Sequence, residues 1–215
     1  MKKIIFQSPF ILFFMGAAFT RIETRGNSLP DSIPKGWRAF TNNAPDIVIG
    51  TDTAIRHSGK ASGFIQRPFA LKPSTGNVTM MQFITADPYR NKRVRLTVYA
   101  RSEGLESGAL FYFRVDGTDT VLAYANTAAN VITETTEWTL YQITLDVPEA
   151  AIIMYFGVVM REGQGTIWVD DFNFEVVDNS IPSDVKAIGV QPKNTDMKKP
   201  SVQNAKARNL GFEDR

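Results

Sequence analysis

Apolar and polar residues alternate along much of the chain. Val94, Leu96, Val98 and Ala100 are interleaved with Arg93, Arg95, Thr97, Tyr99 and Arg101. Phe111, Phe113 and Val115 are interleaved with Leu110, Tyr112, Arg114 and Asp116, and Tyr141, Ile143, Leu145 and Val147 with Gln142, Thr144 and Asp146. A period of two puts one set of side chains on a core and the other outward. The runs are rich in Val, Ile, Thr, Tyr, Phe and Trp, which suit a pleated, half-buried surface. Turn signals separate them at Ser58-Gly59, Ser74-Thr75-Gly76-Asn77, Asp116-Gly117 and Gly163-Gln164-Gly165. No long stretch carries a helical stripe. From about Trp37 to Val177 the pattern predicts an all-β chain, a two-sheet antiparallel β-sandwich of the jelly-roll type.

The two ends break this pattern. Lys2 and Lys3 precede an apolar stretch from Ile4 to Phe19 that ends near Gly16, Ala17 and Ala18. That layout predicts a secretory signal, or an N-terminal extension, over residues 1–26, and an exported protein, periplasmic or extracellular. The uninterrupted apolar run, Phe10–Phe19, is too short to span about 30 Å of hydrocarbon, so no stable membrane span is expected in the mature protein. The jelly roll is expected over 27–178. Residues 179–208 hold Pro182, Pro192 and Pro200 with several Lys and Asn, and read as a linker. Residues 209–215 open with Asn-Leu-Gly-Phe-Glu and again read as a strand.

Composition narrows the chemistry. Of 215 residues, 43% are hydrophobic and 21% charged, enough for a sizeable core. The absence of cysteine excludes disulfides, thiolate metal sites and cysteine nucleophiles. The single histidine, His57, leaves little for Ser-His-Asp or metal-hydrolase chemistry and is read as part of a turn. The net charge of +2 is uneven: residues 26–178 carry 13 Lys+Arg against 17 Asp+Glu, while both ends are basic. A mildly acidic body argues against nucleic acid as a partner, since phosphate binding needs clustered cations. Trp37, Trp138 and Trp168 are assigned to core or edge packing.

Four segments in order, PKGW (Pro34–Trp37), HSGKAS (His57–Ser62), YRNKRVRLTVYAR (Tyr89–Arg101) and IWVDDFNFEVV (Ile167–Val177), resemble the galactose-binding-like jelly roll of bacterial carbohydrate-binding modules. More closely they resemble a group of small uncharacterised bacterial proteins sometimes labelled transcriptional regulators. LFYFRVDG (Leu110–Gly117), Trp138 and Val147-Pro148 fit as well, and no helix-turn-helix pattern lies beside them. The resemblance implies a structural calcium at the sandwich edge. The matching positions would be Asp170 or Asp171, Glu213, and carbonyls near Ser58–Lys60, with oxygen-rich ligation of the kind calcium prefers. The alternative is that these carboxylates cap backbone amides. Adjacent carboxylates on a regular strand point to opposite faces unless a bulge intervenes, so Asp170-Asp171 is a poor acid–base pair. Modules of this kind commonly open with an N-L-x-F-E strand. Here Asn209–Glu213 carries it at the far end, which implies a circular permutation with Leu210 and Phe212 buried.

Strand parity places Tyr99, Arg101, Tyr112, Arg114 and Asp116 outward. If their strands are neighbours, they form one aromatic and charged groove, to which Gln82 and Asn126 could belong. Rings with nearby charges and amides are the parts used to bind a sugar, although the same cross-strand pairs also stabilise an exposed sheet. The reading is a non-catalytic exported binding module for a carbohydrate or another small polar ligand. The competing reading is a structural or protein-interaction module without a sugar site. A glycosidase needs two carboxylates across a cleft, and only Asp116 stands on the expected groove.

Overall fold

The computed structural model describes residues 33–41, 47–68, 75–184 and 206–214. Among the described residues nine strands follow one another: β1 (Arg38–Thr41), β2 (Val48–Asp52), β3 (Ser62–Arg67), β4 (Val78–Thr85), β5 (Lys92–Asp116), β6 (Val121–Asn126), β7 (Ile132–Val147), β8 (Ile153–Met160) and β9 (Gly165–Val177). One 3₁₀ turn, Asp87–Tyr89, is the only helical element among the described residues. Every pairing is antiparallel. The predicted all-β sandwich is therefore what forms, and strand alternation decides it.

The sheet is continuous and curls on itself through β5. The two runs at 93–101 and 110–116 are halves of one 25-residue strand. Its first half pairs with β7 and β9, its second half with β8 and β6. One layer therefore runs β1-β4-β8-β5-β6 and the other β7-β5-β9-β3-β2. The crossing lies at residues 102–108, where the β5–β7 register shifts repeatedly. Gly104 and Gly108 have positive φ there, +56° and +86°. At Gly108 a Cβ would stand 2.5 Å from Val131 Cγ1 and 2.7 Å from the Ile132 carbonyl oxygen. Only glycine turns this corner without a clash.

Aromatic rings from both layers meet between them. Phe156 of β8 lies 4.8 Å from Phe174 and 5.8 Å from Phe172 of β9. Phe113 lies 5.6 Å from Phe174. Phe111, Phe113 and Val115 are buried, and Tyr112 and Arg114 are half-buried. The predicted in–out parity of β5 holds. Trp37 is buried in the same core, and Trp168 is buried with its indole N–H donating to Asp52.

The ends of the jelly roll are more firmly attached than a linker would be. After β9 the chain folds back along β7. The Asp184 amide donates to the Thr144 carbonyl, and the Thr144 amide to the Asp184 carboxylate. Arg93 donates to the Asn179 and Ile181 carbonyls while paired with Asp146. Residues 179–184 and 206–208 thus belong to the body, and the rest of the expected linker lies outside the described residues. So does the expected signal over 1–26. No helix among the described residues is long and apolar enough to cross a membrane.

Residues 206–214 return to the sandwich, but not as a paired strand. Asn209 and Phe212 take positive φ, 50° and 56°, which breaks an extended run. The segment instead enters between the layers as an irregular plug. Phe212 is fully buried, stacked on Trp37 at 4.9 Å and against Gly63, where a Cβ would stand 2.2 Å from its ring. Leu210 is only half-buried, and its carbonyl accepts the Phe172 amide. The Asn209 carbonyl accepts the Trp37 indole N–H at 3.1 Å. Burial of the tail is met chiefly by Phe212, and a strand is not needed for it.

Candidate functional site

The outer face of the first layer carries side chains in transverse rows set by strand register. One row reads Arg38, Met81, Gly157, Tyr112, Asn126 across β1, β4, β8, β5 and β6. The next reads Phe83, Tyr155, Arg114, Tyr124. Gly157 leaves a gap in the first row. The Tyr112 hydroxyl donates to Met81 Sδ at 3.3 Å, so its ring spans β8 at that gap. Tyr155 and Met81 are buried beneath this arrangement, while Tyr112, Phe83, Tyr124 and Asn126 remain half-buried. Burial pushes the Tyr112 and Tyr155 phenols up from their ordinary range, so both are neutral at neutral pH.

Charge on this face is fixed by pairing. Arg114 donates through Nε and a terminal nitrogen to the two oxygens of Asp116, both at 2.6 Å. Asp116 stands on the expected face but is buried, 7% exposed, because this two-pronged bond folds it against Arg114. The pair raises the Arg114 pKa further and holds the guanidinium 5.7 Å from the Tyr155 ring. Arg38 lies over Phe83 at 4.7 Å. Asn126 donates to the Tyr124 hydroxyl at 2.9 Å and accepts the Ala128 amide.

The single groove expected from sequence does not assemble. Tyr99 and Arg101 lie on the first half of β5 and face outward from the second layer, because the strand changes layers between them and Tyr112. Gln82 faces inward in register with Phe156, not with the groove. Its side-chain amide instead donates to the Arg208 carbonyl at 2.5 Å and accepts the Arg208 amide at 3.2 Å, anchoring the tail. Tyr112, Arg114, Asp116 and Asn126 are brought together. Tyr99, Arg101 and Gln82 are not with them. Tyr124, Tyr155 and Phe83 complete the face and were missed, although Tyr124 stands two residues before Asn126 on the same strand face.

The second layer gathers the carboxylates. A bulge in β9 between its pairings to Thr97 and Tyr99 puts Asp171 at φ 51°, so Asp170 and Asp171 both reach the 57–58 loop. Asp170, fully buried, accepts the His57 amide at 2.9 Å, the Ser58 amide at 3.1 Å and the Asp171 amide at 2.8 Å. Asp171 accepts the Ser58 hydroxyl at 2.8 Å and pairs with His57 Nδ1 at 2.7 Å. Glu213 accepts the Lys60 amide at 2.8 Å. Desolvation, with Asp171 alongside, pushes the Asp170 carboxyl up to about 6. His57 stacks on Tyr99 at 3.6 Å, with Trp138 edge-on at 5.6 Å.

This donor set does not fit a calcium ion as it stands. The loop presents N–H groups to the carboxylates, and a cation needs oxygens there. The Gly59 carbonyl, one of the expected ligands, accepts Arg56 Nε instead. No cluster of three or more His, Cys, Asp or Glu is placed to hold a metal among the described residues. The Ser58 hydroxyl donates to the Asp171 carboxylate and not to the His57 imidazole, so the serine–imidazole bond of a Ser-His-Asp array is not formed here.

No family model matches the chain. A protein of Bacillus subtilis (strain 168) named as an uncharacterised HTH-type transcriptional regulator, YbfP, is 38% identical over 151 residues, 69% of this chain and 50% of that protein. The chain thus spans half the length of that relative. Among solved structures, the enzymatically active domain of tailspike protein 4 from bacteriophage CBA120 superposes with a TM-score of 0.53 at 11% identity, over 66% of this chain and 20% of that one. A family 61 carbohydrate-binding module in complex with β-1,4-galactotriose gives 0.47 at 14% identity, over 68% and 92% of the two chains. A family 16 carbohydrate-binding module gives 0.44 at 13% identity, over 59% and 84%. The resemblance read from the four sequence segments, to proteins labelled as regulators, is matched by the Bacillus subtilis protein.

Proposed function

We propose that this chain is a non-catalytic binding module, exported from the cell, that takes a carbohydrate or similarly polar small ligand on the outer face of its first layer. The observation that carries the reading is the Tyr112 ring spanning β8 at Gly157. An aromatic ring held this way offers its face to the C–H surface of a pyranose. Arg114, fixed by Asp116, and the side chains of Asn126 and Tyr124 stand beside it as hydrogen-bonding partners for hydroxyls.

A glycan array probed with the full chain, followed by titration calorimetry on the best hit, tests the reading. The Tyr112→Ala variant is expected to keep the fold and lose binding at least about tenfold, a loss of about 1.4 kcal/mol. An array with no hit, or a variant that binds as tightly as the parent, overturns it.

One observation favours a second reading. The relative named as a transcriptional regulator is twice as long as the matched stretch. In such a setting the module would serve as a ligand-sensing or protein-interaction part of a larger protein. A response of that relative to a glycan would unite the two readings.

A further inference from the structure

On the Tyr112 face the side-chain acceptors are engaged and the donors are open. Both Asp116 oxygens are taken by Arg114, and the Asn126 oxygen by the Ala128 amide. The Arg38 guanidinium, by contrast, has no carboxylate partner among the described residues. It lies only over the Phe83 ring, at 4.7 Å, which holds it without using any of its N–H groups. The Tyr155 hydroxyl makes no hydrogen bond to a described residue, although Tyr155 is only 5% exposed. A hydroxyl held out of water without a partner is costly, so this donor is suited to an incoming acceptor.

These donors stand along one row. From Arg38 the row continues through Phe83 to Tyr155, whose rings are 6.0 Å apart, and Arg114 lies 5.7 Å from the Tyr155 ring on the β5 side. Both guanidiniums bear on the Tyr155 phenol and oppose the upward push that burial and Asp116 give it. Asp116 neutralises Arg114, so the unbalanced charge of the row sits at Arg38. In register, Arg38 is opposite Met81, one strand spacing of about 4.8 Å away. The Tyr112 hydroxyl rests on that same Met81. A sugar stacked on the Tyr112 ring therefore has its β4 edge within a side chain's reach of Arg38.

Resting on the reading of this face as a sugar site, we propose that its ligand is an acidic oligosaccharide, with a uronate stacked on Tyr112 and its carboxylate held by Arg38 and the Tyr155 hydroxyl. An ionised carboxylate only accepts hydrogen bonds and so matches a patch whose open groups donate. A neutral sugar presents hydroxyls, which also donate, and leaves the Arg38 charge unanswered. The guanidinium fork binds a carboxylate through two parallel N–H bonds, which fixes the orientation of the sugar as well as its charge.

Titration calorimetry on the full chain tests this, with oligosaccharides of galacturonate, glucuronate, mannuronate and guluronate, each against its carboxyl-reduced neutral form. At least one acid is expected to bind at least about tenfold more tightly than its neutral form, and the preference is expected to shrink as sodium chloride is raised. Arg38→Gln is expected to bring the preference close to one. Arg38→Lys should restore part of it, because lysine keeps the charge and loses the fork. Tyr155→Phe keeps the ring, removes the hydroxyl and is expected to weaken the acid about tenfold. Neutral forms bound as tightly as the acids would overturn this proposal and leave the sugar reading standing. So would a preference for acid that survives Arg38→Gln, or binding of sulfated oligosaccharides with none of the uronates. Failure of every oligosaccharide to bind would overturn both.

Discussion

Tyr99 and Tyr112 stand on the same strand, each on the outward side of its own half and each followed two residues later by an arginine. They end up on opposite outer surfaces with opposite fates. Tyr99 lies under His57, whose ring stacks on it at 3.6 Å. Its surroundings are a loop tied down by carboxylates and a plug from the far end of the chain. Tyr112 lies across a glycine gap, in a face built only from strands, with Arg114 fixed at its side. The first surface is assembled from distant pieces and serves attachment. The second is assembled by register alone and presents a ring. What separates them is the corner at Gly104 and Gly108.

The largest expected effect comes from removing the plug. Phe212 is fully buried between Trp37, Phe172 and Gly63. Phe212→Ala is expected to cost about 3–5 kcal/mol, the usual range for a buried aromatic. Urea denaturation measures the loss. The comparison predicts where it is felt first: amide exchange should rise at Ser58, Lys60 and Phe172, and stay low at Tyr112 and Arg114. A uniform rise would mean that the two surfaces are a single cooperative unit.

The second effect is electrostatic and confined to the second layer. The Asp170 carboxyl titrates near 6 in the folded protein against 3.8 for the free group. Between those values the folded state holds the proton more often, so this residue's contribution to stability falls as pH rises from about 4 to about 6. Asp52, Asp146 and Asp178 are shifted the other way and act below that window. Asp170→Asn keeps an acceptor for the His57 and Ser58 amides but removes the titration. Subtracting its melting profile from that of the parent should show a decline across this window. A flat difference would mean that the buried carboxylate is compensated by something outside its three amides.

Much of this was legible in the chain and some was not, for identifiable reasons. Period-two alternation fixed which β5 residues face the core, because each neighbouring pair contrasts an apolar with a polar side chain. It carried no information on which outer surface a residue joins, since that depends on where a strand changes layers. Gly104 and Gly108 were the available signal. Gln82 sits in Val-Thr-Met-Met-Gln-Phe-Ile-Thr, where both parities are partly apolar, so its inward direction was hidden. Alternation gives the outward direction of Asp116 but not its bond to Arg114, so its burial is not legible in the sequence. The bulge that turns Asp171 beside Asp170 leaves no mark in a run of alternating residues.

A smaller effect separates the two tyrosines directly. Tyr99→Ala removes the ring under His57, a stacked contact worth about 0.5–1.5 kcal/mol. Its melting temperature is expected to fall slightly while any ligand of the Tyr112 face binds unchanged. Loss of that ligand in both tyrosine variants would mean that the two surfaces communicate through β5.

The smallest expected effect is that of calcium. An ion that binds only the folded state raises stability by mass action, by about 2.7 kcal/mol at a hundredfold excess over its dissociation constant. Here each of the three carboxylates accepts N–H or O–H donors, and five of those donors come from the 57–60 loop. To bind calcium, the loop would have to turn its amides away and present carbonyls, and Gly59 would have to release Arg56. The melting temperature of metal-stripped protein is therefore expected to be the same in calcium and in chelator. A rise in calcium that disappears in Asp170→Asn would show that the cluster rearranges around an ion. The second layer would then be a metal-anchored surface, and its contrast with the strand-built face around Tyr112 would be sharper still.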